Sequence, residues 1–98
     1  MEKRSPHCQL AEVKALVKAG KVRATQSARL GATGLGFDLS DMLAVVIALT
    51  AADFYKSMTT HGDHTVWQDV YRPSTAAGDV YLKLTVIDDL LIVSFKEL

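Results

Sequence analysis

The stretch Asp79-Val80-Tyr81-Leu82-Lys83-Leu84-Thr85-Val86-Ile87-Asp88-Asp89-Leu90-Leu91-Ile92-Val93-Ser94-Phe95-Lys96-Glu97-Leu98 reads as one β-hairpin, and it decides the fold. Two runs of β-branched, aromatic and aliphatic residues flank an acidic pair with turn chemistry. A two-residue loop at Asp88-Asp89 predicts opposed positions that sum to 177: Ile87 with Leu90, Thr85 with Ile92, Lys83 with Ser94, and Tyr81 with Lys96. Strand side chains alternate between faces, so these pairs share one side of the sheet. The other side carries Leu82 with Phe95, Leu84 with Val93 and Val86 with Leu91, which makes it the core side. A four-residue loop centred on the same pair keeps this pairing, whereas a three-residue loop would flip the faces. The polar side presents a phenol, two ammonium groups and a hydroxyl. It is either a solvated sheet face or a site for an anionic substrate.

Upstream of the hairpin the pattern is helical. Ser5-Pro6 has the form of an N-cap and first-turn proline, Leu10, Val13, Leu16 and Val17 recur at helical spacing, and Gly20 is a C′ stop. Lys21 to Ala24 is a short strand, and Thr25 to Leu30 a short helix that the glycines at 31, 34 and 36 end. Asp38 or Ser40 caps a third helix whose apolar stripe is Leu39, Met42, Leu43, Val46 and Leu49. Thr50-Ala51-Ala52-Asp53 resembles a capping box and predicts one or two further turns over Ala51 to Lys56. Thr65 to Tyr71 is a strand, ended by Arg72-Pro73. Burying Trp67 on the core side puts Gln68 on the polar face with Tyr81, Lys83 and Lys96. Helices first and an antiparallel meander second is an α+β pattern in one domain, residues 1–98.

The net charge of +0 hides an asymmetry. Residues 1–29 hold Lys3, Arg4, Lys14, Lys18, Lys21, Arg23 and Arg29 against Glu2 and Glu12, and the remainder is correspondingly acidic. A basic end favours polyanions, although any one of these charges is equally a solvated helix face. The longest apolar run, Met42 to Leu49, is too short for a membrane span. No signal-peptide core follows Met1, and the single cysteine, Cys8, fits a reducing cytoplasm. The loop His61-Gly62-Asp63-His64 lacks a fourth partner for a metal.

Runs of residues then carry a resemblance. Asp53-Phe54-Tyr55-Lys56-Ser57-Met58-Thr59-Thr60, Asp63-His64-Thr65, Trp67-Gln68-Asp69-Val70-Tyr71-Arg72-Pro73, Val80-Tyr81-Leu82-Lys83 and Leu91-Ile92-Val93-Ser94-Phe95-Lys96-Glu97 are similar to the motility quorum-sensing regulator toxins, as are Met1-Glu2-Lys3-Arg4 and Pro6-His7. The stretch Gly31 to Ala52 departs most, and Asp88 stands where the family can carry a histidine. The resemblance implies a RelE-like fold, with helices packed on one face of a twisted antiparallel sheet and RNA on the other. It implies the toxin of a toxin–antitoxin pair, an endoribonuclease that cuts mRNA at GC-containing trinucleotides, notably GCU and GCA. It further implies a cognate antitoxin with a zinc-binding domain and a helix-turn-helix domain, and no metal or other cofactor in the toxin. The family's functional residues fall on Lys56, Gln68, Tyr81 and Lys96, with Met58 and Arg72 beside them as RNA contacts.

Such a set suits RNA cleavage. The reaction needs a base for the ribose 2′-hydroxyl, stabilisation of the phosphorane, and a proton for the leaving 5′-oxygen. A lysine crowded by cations has its pKa pushed down, which makes Lys56 one candidate base. Lys96 neutralises the dianion, Tyr81 donates to it or stacks on a base, Gln68 orients phosphate or reads a base edge, and Arg72 clamps a phosphate. Lys83 is an RNA contact or, equally, a solvated residue of the face. A module that binds RNA or a partner without cleaving it is the competing reading.

Overall fold

The computed structural model describes residues 1–98. In chain order the elements are β1 (Glu2–Lys3), α1 (Leu10–Lys18), β2 (Val22–Ala24), α2 (Gln26–Gly34), α3 (Leu39–Ala48), a single 3-10 turn (Ala51–Asp53), β3 (Phe54–Thr59), β4 (Trp67–Tyr71), β5 (Ser74–Thr75), β6 (Gly78–Ile87) and β7 (Asp89–Glu97). The main sheet runs β1-β3-β4-β6-β7-β2, with β5 paired to β6 off this path. This is the α+β architecture the sequence predicts, with one correction: the sheet is mixed, because β2 lies parallel to β7 at one edge.

The core lies between the helices and one face of the sheet. Val13 of α1, Ala28 and Ala32 of α2, and Met42 and Val46 of α3 meet Leu82, Leu84, Leu90, Ile92 and Phe95 of the hairpin. Each such side chain contributes about 1.5–3 kcal/mol on burial, so the hairpin's apolar face is the main reason the sheet holds its helices. α2 packs so close that a Cβ on Gly31 would sit 2.0 Å from the Phe95 carbonyl oxygen. Gly31 is therefore a close-approach residue inside the helix rather than its end. Gly36, at φ +83, closes it instead.

The hairpin follows the predicted pairing away from its turn: Tyr81 opposes Lys96, Leu82 opposes Phe95 and Lys83 opposes Ser94. Nearer the turn the expectation fails. Asp88 takes φ +64, Ile87 opposes Asp89, and the register is offset by one residue until a bulge between Lys83 and Leu84 restores it. Leu84 thus opposes Ile92 and Val86 opposes Leu90, which puts Leu90 and Ile92 in the core in place of the expected Leu91 and Val93. Aspartate is among the few residues that tolerate the left-handed region. The offset also lets Leu90–Ile92 pair with β2, whose neighbours add Leu90 N–H to Lys21 C=O and Thr25 N–H to Ile92 C=O.

Two further expectations are corrected. The capping box of Thr50 and Asp53 is present, but it opens only the 3-10 turn, and Phe54 onward pairs with β4. Lys56 is accordingly a strand residue and not the end of a helix. Helix α1 starts at Leu10 behind Gln9 and not at Ser5-Pro6. The reason is tertiary: the His7 and Cys8 N–H groups donate to the Asp69 carboxylate, both at 3.0 Å, and hold this segment against the sheet.

Candidate active site

The registers bring the predicted residues onto the face opposite the helices. Directly opposed residues share a face, so one row reads Lys56, Val70, Lys83, Ser94 across β3, β4, β6 and β7. The next row reads Met58, Gln68, and by continuation Thr85. On the other side of the first row, Tyr81 opposes Lys96, and one step beyond the Tyr71–Leu82 pair Arg72 comes beside Tyr81. Trp67 lies on the helix side, where it stacks on His7 at 5.6 Å and carries the Lys3 ammonium 4.1 Å from its ring centre. Its parity places Gln68 as the sequence predicts. Lys56 and Met58 of β3, Gln68 of β4 with Arg72 just beyond it, Tyr81 and Lys83 of β6 and Lys96 of β7 therefore share one surface.

The ammonium groups are arranged around phenols. Lys96 Nζ lies 5.2 Å and Lys83 Nζ 5.8 Å from the Tyr81 ring centre, within cation–π range. Burial holds the Lys83 pKa below its ordinary value, with repulsion from Lys96 and Lys56 acting in the same direction. Lys83 is thus a lysine whose charged form this face disfavours.

Lys56 behaves in the opposite way to the expectation for a base. Its Nζ donates to Glu2 Oε1 at 2.7 Å, and this hydrogen bond raises its pKa. The same bond holds the Glu2 carboxyl below its usual range. Glu2 opposes Met58 at the sheet edge, so its carboxylate reaches the face from β1. A carboxylate on Lys56 occupies the place where a bound anion would sit, and any phosphate bound there would have to displace it. Replacing Glu2 by Gln is expected to weaken that competition and lower the KM for RNA about two- to five-fold. Steady-state cleavage kinetics of Glu2→Gln check this; an unchanged or higher KM refutes the competition.

Residues the sequence reading left open sort themselves by face. Tyr71 is a phenol on the helix side, edge-on to Phe54, and burial pushes its pKa up to about 12. It stays neutral and has no part in the surface chemistry. The Cys8 thiol is also pushed up by burial and by Asp69, so it is a poor nucleophile. In the His61–His64 loop, Asp63 is engaged by the Thr65 amide and hydroxyl. A cleft of about 330 Å³ lined by Phe37, Val45, Ala48 and Pro73 lies beside α3, and its two acids, Asp41 and Asp53, are both occupied in capping boxes. Tyr55, which sequence reasoning passed over, stands 4.6 Å from the Arg72 guanidinium. Its signal was its place beside Lys56, hidden by the helical reading of that segment.

Two comparisons bear on this surface. Residues 5–97 match the family described as the motility quorum-sensing regulator, toxin of MqsA. The chain is also 63% identical, over 97 residues covering 99% of each protein, to the mRNA interferase toxin MqsR of Escherichia coli (strain K12). With the match running through every strand that contributes to the cationic face, the chain belongs to the motility quorum-sensing regulator toxin family.

Proposed function

We propose that the chain is the toxin of a type II toxin–antitoxin system, a metal-independent endoribonuclease that cleaves mRNA in the cytoplasm at GC-containing trinucleotides such as GCU and GCA, and so arrests translation and growth. The observation that carries this reading is the assembly of Lys56, Lys83, Lys96 and Tyr81 on one face with a single carboxylate, Glu2, among them. Three ammonium groups there repel one another and favour a polyanion. The 63% identity to an mRNA interferase over the full chain supports the same conclusion.

In this mechanism the ribose 2′-oxygen attacks the adjacent phosphorus and the 5′-oxygen of the next nucleotide leaves. The products are a 2′,3′-cyclic phosphate and a 5′-hydroxyl. Lys83 in its neutral form takes the 2′-proton, since burial and the neighbouring ammonium groups disfavour its charged form. Lys96 and Tyr81 face the non-bridging oxygens, the Lys96 ammonium gives its proton to the departing 5′-oxygen and is recharged from solvent, and Lys56, once Glu2 is displaced, binds the phosphate on the β3 side. Gln68, in the neighbouring row with Met58, offers a donor and an acceptor to a base edge. Arg72 and Met58 hold the flanking RNA. An antitoxin with zinc-binding and helix-turn-helix domains would silence the toxin by covering or distorting this face.

The test is incubation of the purified protein with a defined single-stranded RNA, with and without ribosomes, followed by analysis of the ends. Cyclic phosphate termini at GC-containing triplets are expected. RNA that binds yet stays intact under both conditions sinks the enzyme reading in favour of a binding module. A pH profile then examines Lys83. Because its pKa is lowered in the folded protein, kcat/KM is expected to rise with pH through that lowered value, and Lys83→Arg to remove this limb. The linked stability has the same sign: the penalty for holding Lys83 charged is fully present below the lowered pKa and vanishes as pH rises to its ordinary value. A Lys83→Arg enzyme with an unchanged profile excludes Lys83 as the base.

A further inference from the structure

The pairing of β3 with β4 breaks at one residue. Phe54 opposes Tyr71 and Lys56 opposes Val70, so Tyr55 is the extra residue of a bulge with no opposite number. Bulges re-aim a side chain, and this one leaves the Tyr55 ring 37% exposed while Phe54 turns inward onto Tyr71. Around that ring stand three cations from three separate segments of the chain: Lys56 on β3 itself, Arg4 just after β1 and Arg72 just after β4. The Arg72 guanidinium lies 4.6 Å from its centre, Lys56 Nζ 5.4 Å and the Arg4 guanidinium 5.9 Å. Lys56 has Glu2, but neither arginine forms an ion pair or a side-chain hydrogen bond with any residue of the chain.

Cation–π attraction at an exposed ring is weak and does little to offset crowding three positive charges. Two unengaged guanidinium forks beside an exposed aromatic ring instead match a nucleotide. An unpaired base stacks on a phenol ring or a guanidinium plane, and a phosphate takes paired N–H donors. The patch is continuous with the cleavage centre, because Lys56 Nζ lies 5.4 Å from the Tyr55 ring and Arg72, 4.6 Å from the same ring, follows β4 beside Tyr81.

We propose that Tyr55, Arg72 and Arg4 form a nucleotide-binding subsite next to the cleavage centre, where a base flanking the scissile bond stacks on Tyr55 and its phosphate lies on the two arginines. This rests on the endoribonuclease reading and adds a second role to the surface: affinity for RNA beyond the triplet that is cut. Stacking tolerates any base, so the subsite contributes grip without sequence choice.

The experiment compares wild type, Tyr55→Ala and Tyr55→Trp on an RNA bearing one preferred triplet with several flanking nucleotides, and on two RNAs trimmed on the 5′ or the 3′ side of that triplet. A non-cleavable 2′-deoxy version of the long strand is titrated in parallel. Loss of base stacking, about 1–3 kcal/mol, corresponds to a rise of roughly 5- to 150-fold in KM and in the Kd of the deoxy strand for Tyr55→Ala. Little change is expected in kcat or in the triplet chosen, and Tyr55→Trp should restore affinity. The penalty should vanish on one of the two trimmed RNAs, which also reveals the side on which the subsite lies. Cleavage by wild type with an unaltered KM in Tyr55→Ala, or a penalty that persists on both trimmed RNAs, overturns the subsite and leaves the nuclease reading intact. If wild type cleaves nothing yet binds the deoxy strand in a Tyr55-dependent way, the nuclease reading falls and the subsite stands.

Discussion

Tyr81→Phe and Lys96→Ala are each expected to lose cleavage by about 10²–10⁴-fold, with RNA affinity reduced far less and thermal stability nearly unchanged. The magnitude follows from what each group is asked to do. In the proposed mechanism the phenol hydroxyl and the ammonium contact charge that develops only as the phosphorane forms, so their removal should raise the barrier more than it weakens the ground state. The expectation of intact folding has an equally direct basis. Lys96 is exposed, Tyr81 is only half-buried, and neither makes a side-chain hydrogen bond within the chain. The pair is also coupled, since the ammonium sits 5.2 Å from the ring centre and the proposed mechanism sets both on one phosphate. The double variant should therefore lose less than the product of the two single losses. Single-turnover cleavage of one RNA by the three variants, with melting curves on the same samples, measures this. Full activity in either single variant removes that residue from the chemistry.

The largest expected effect on stability lies on the other side of the sheet. Asp69 is 5% exposed and accepts three hydrogen bonds: from the His7 N–H, the Cys8 N–H and the Ser57 hydroxyl at 2.6 Å. Hydrogen bonds to a charged acceptor contribute about 1.5–3 kcal/mol each, and truncating the acceptor leaves buried donors without partners. Allowing for non-additivity, Asp69→Ala is expected to cost about 3–5 kcal/mol. In a domain of this size that lowers the melting temperature by roughly 15–30 °C. Asp69→Asn keeps one acceptor oxygen and should fall between. The loss also has a functional signature. Asp69 anchors the segment behind β1, and β1 carries the Glu2 that occupies Lys56. A loosened arm should thus be clipped by protease ahead of Leu10 before the rest of the chain opens. A melting point within about 3 °C of wild type, with the arm as protease-resistant as before, contradicts this role.

How much of this was legible in the residues depends on where the deciding interaction lies. Tyr81–Lys96, Leu82–Phe95 and Lys83–Ser94 follow from parity, because a strand has a period of two and one side of this hairpin is strongly apolar. Gln68 follows from the same rule once Trp67 is buried. The helix α3 follows from spacing and capping and the body of α1 from spacing alone, which are local, whereas the start of α1 is not. Lys56 did not follow. The box at Thr50 and Asp53 is a true local helix signal, but six residues of β3 gain more by pairing with β4 and β1 than by continuing a turn.

The turn of the hairpin shows the division most clearly. Asp88-Asp89 is compatible with two loop lengths that differ by one residue, and nothing nearby chooses between them. The choice falls to Leu90 and Ile92, which are buried under the helices and align with β2. The bulge between Lys83 and Leu84 then absorbs the extra residue, so the far half of the hairpin keeps the predicted pairs. Local propensity and alternation thus determined that Gln68, Tyr81, Lys83 and Lys96 share the cationic face, while Lys56 joined it only through the pairing of β3 with β4. Only the tertiary structure decided that Glu2 occupies Lys56, that Lys83 rather than Lys56 holds its proton weakly, and that Tyr55 stands beside Arg72. Those outcomes come from contacts between segments tens of residues apart, whose strength depends on burial and charge that no single stretch of sequence contains.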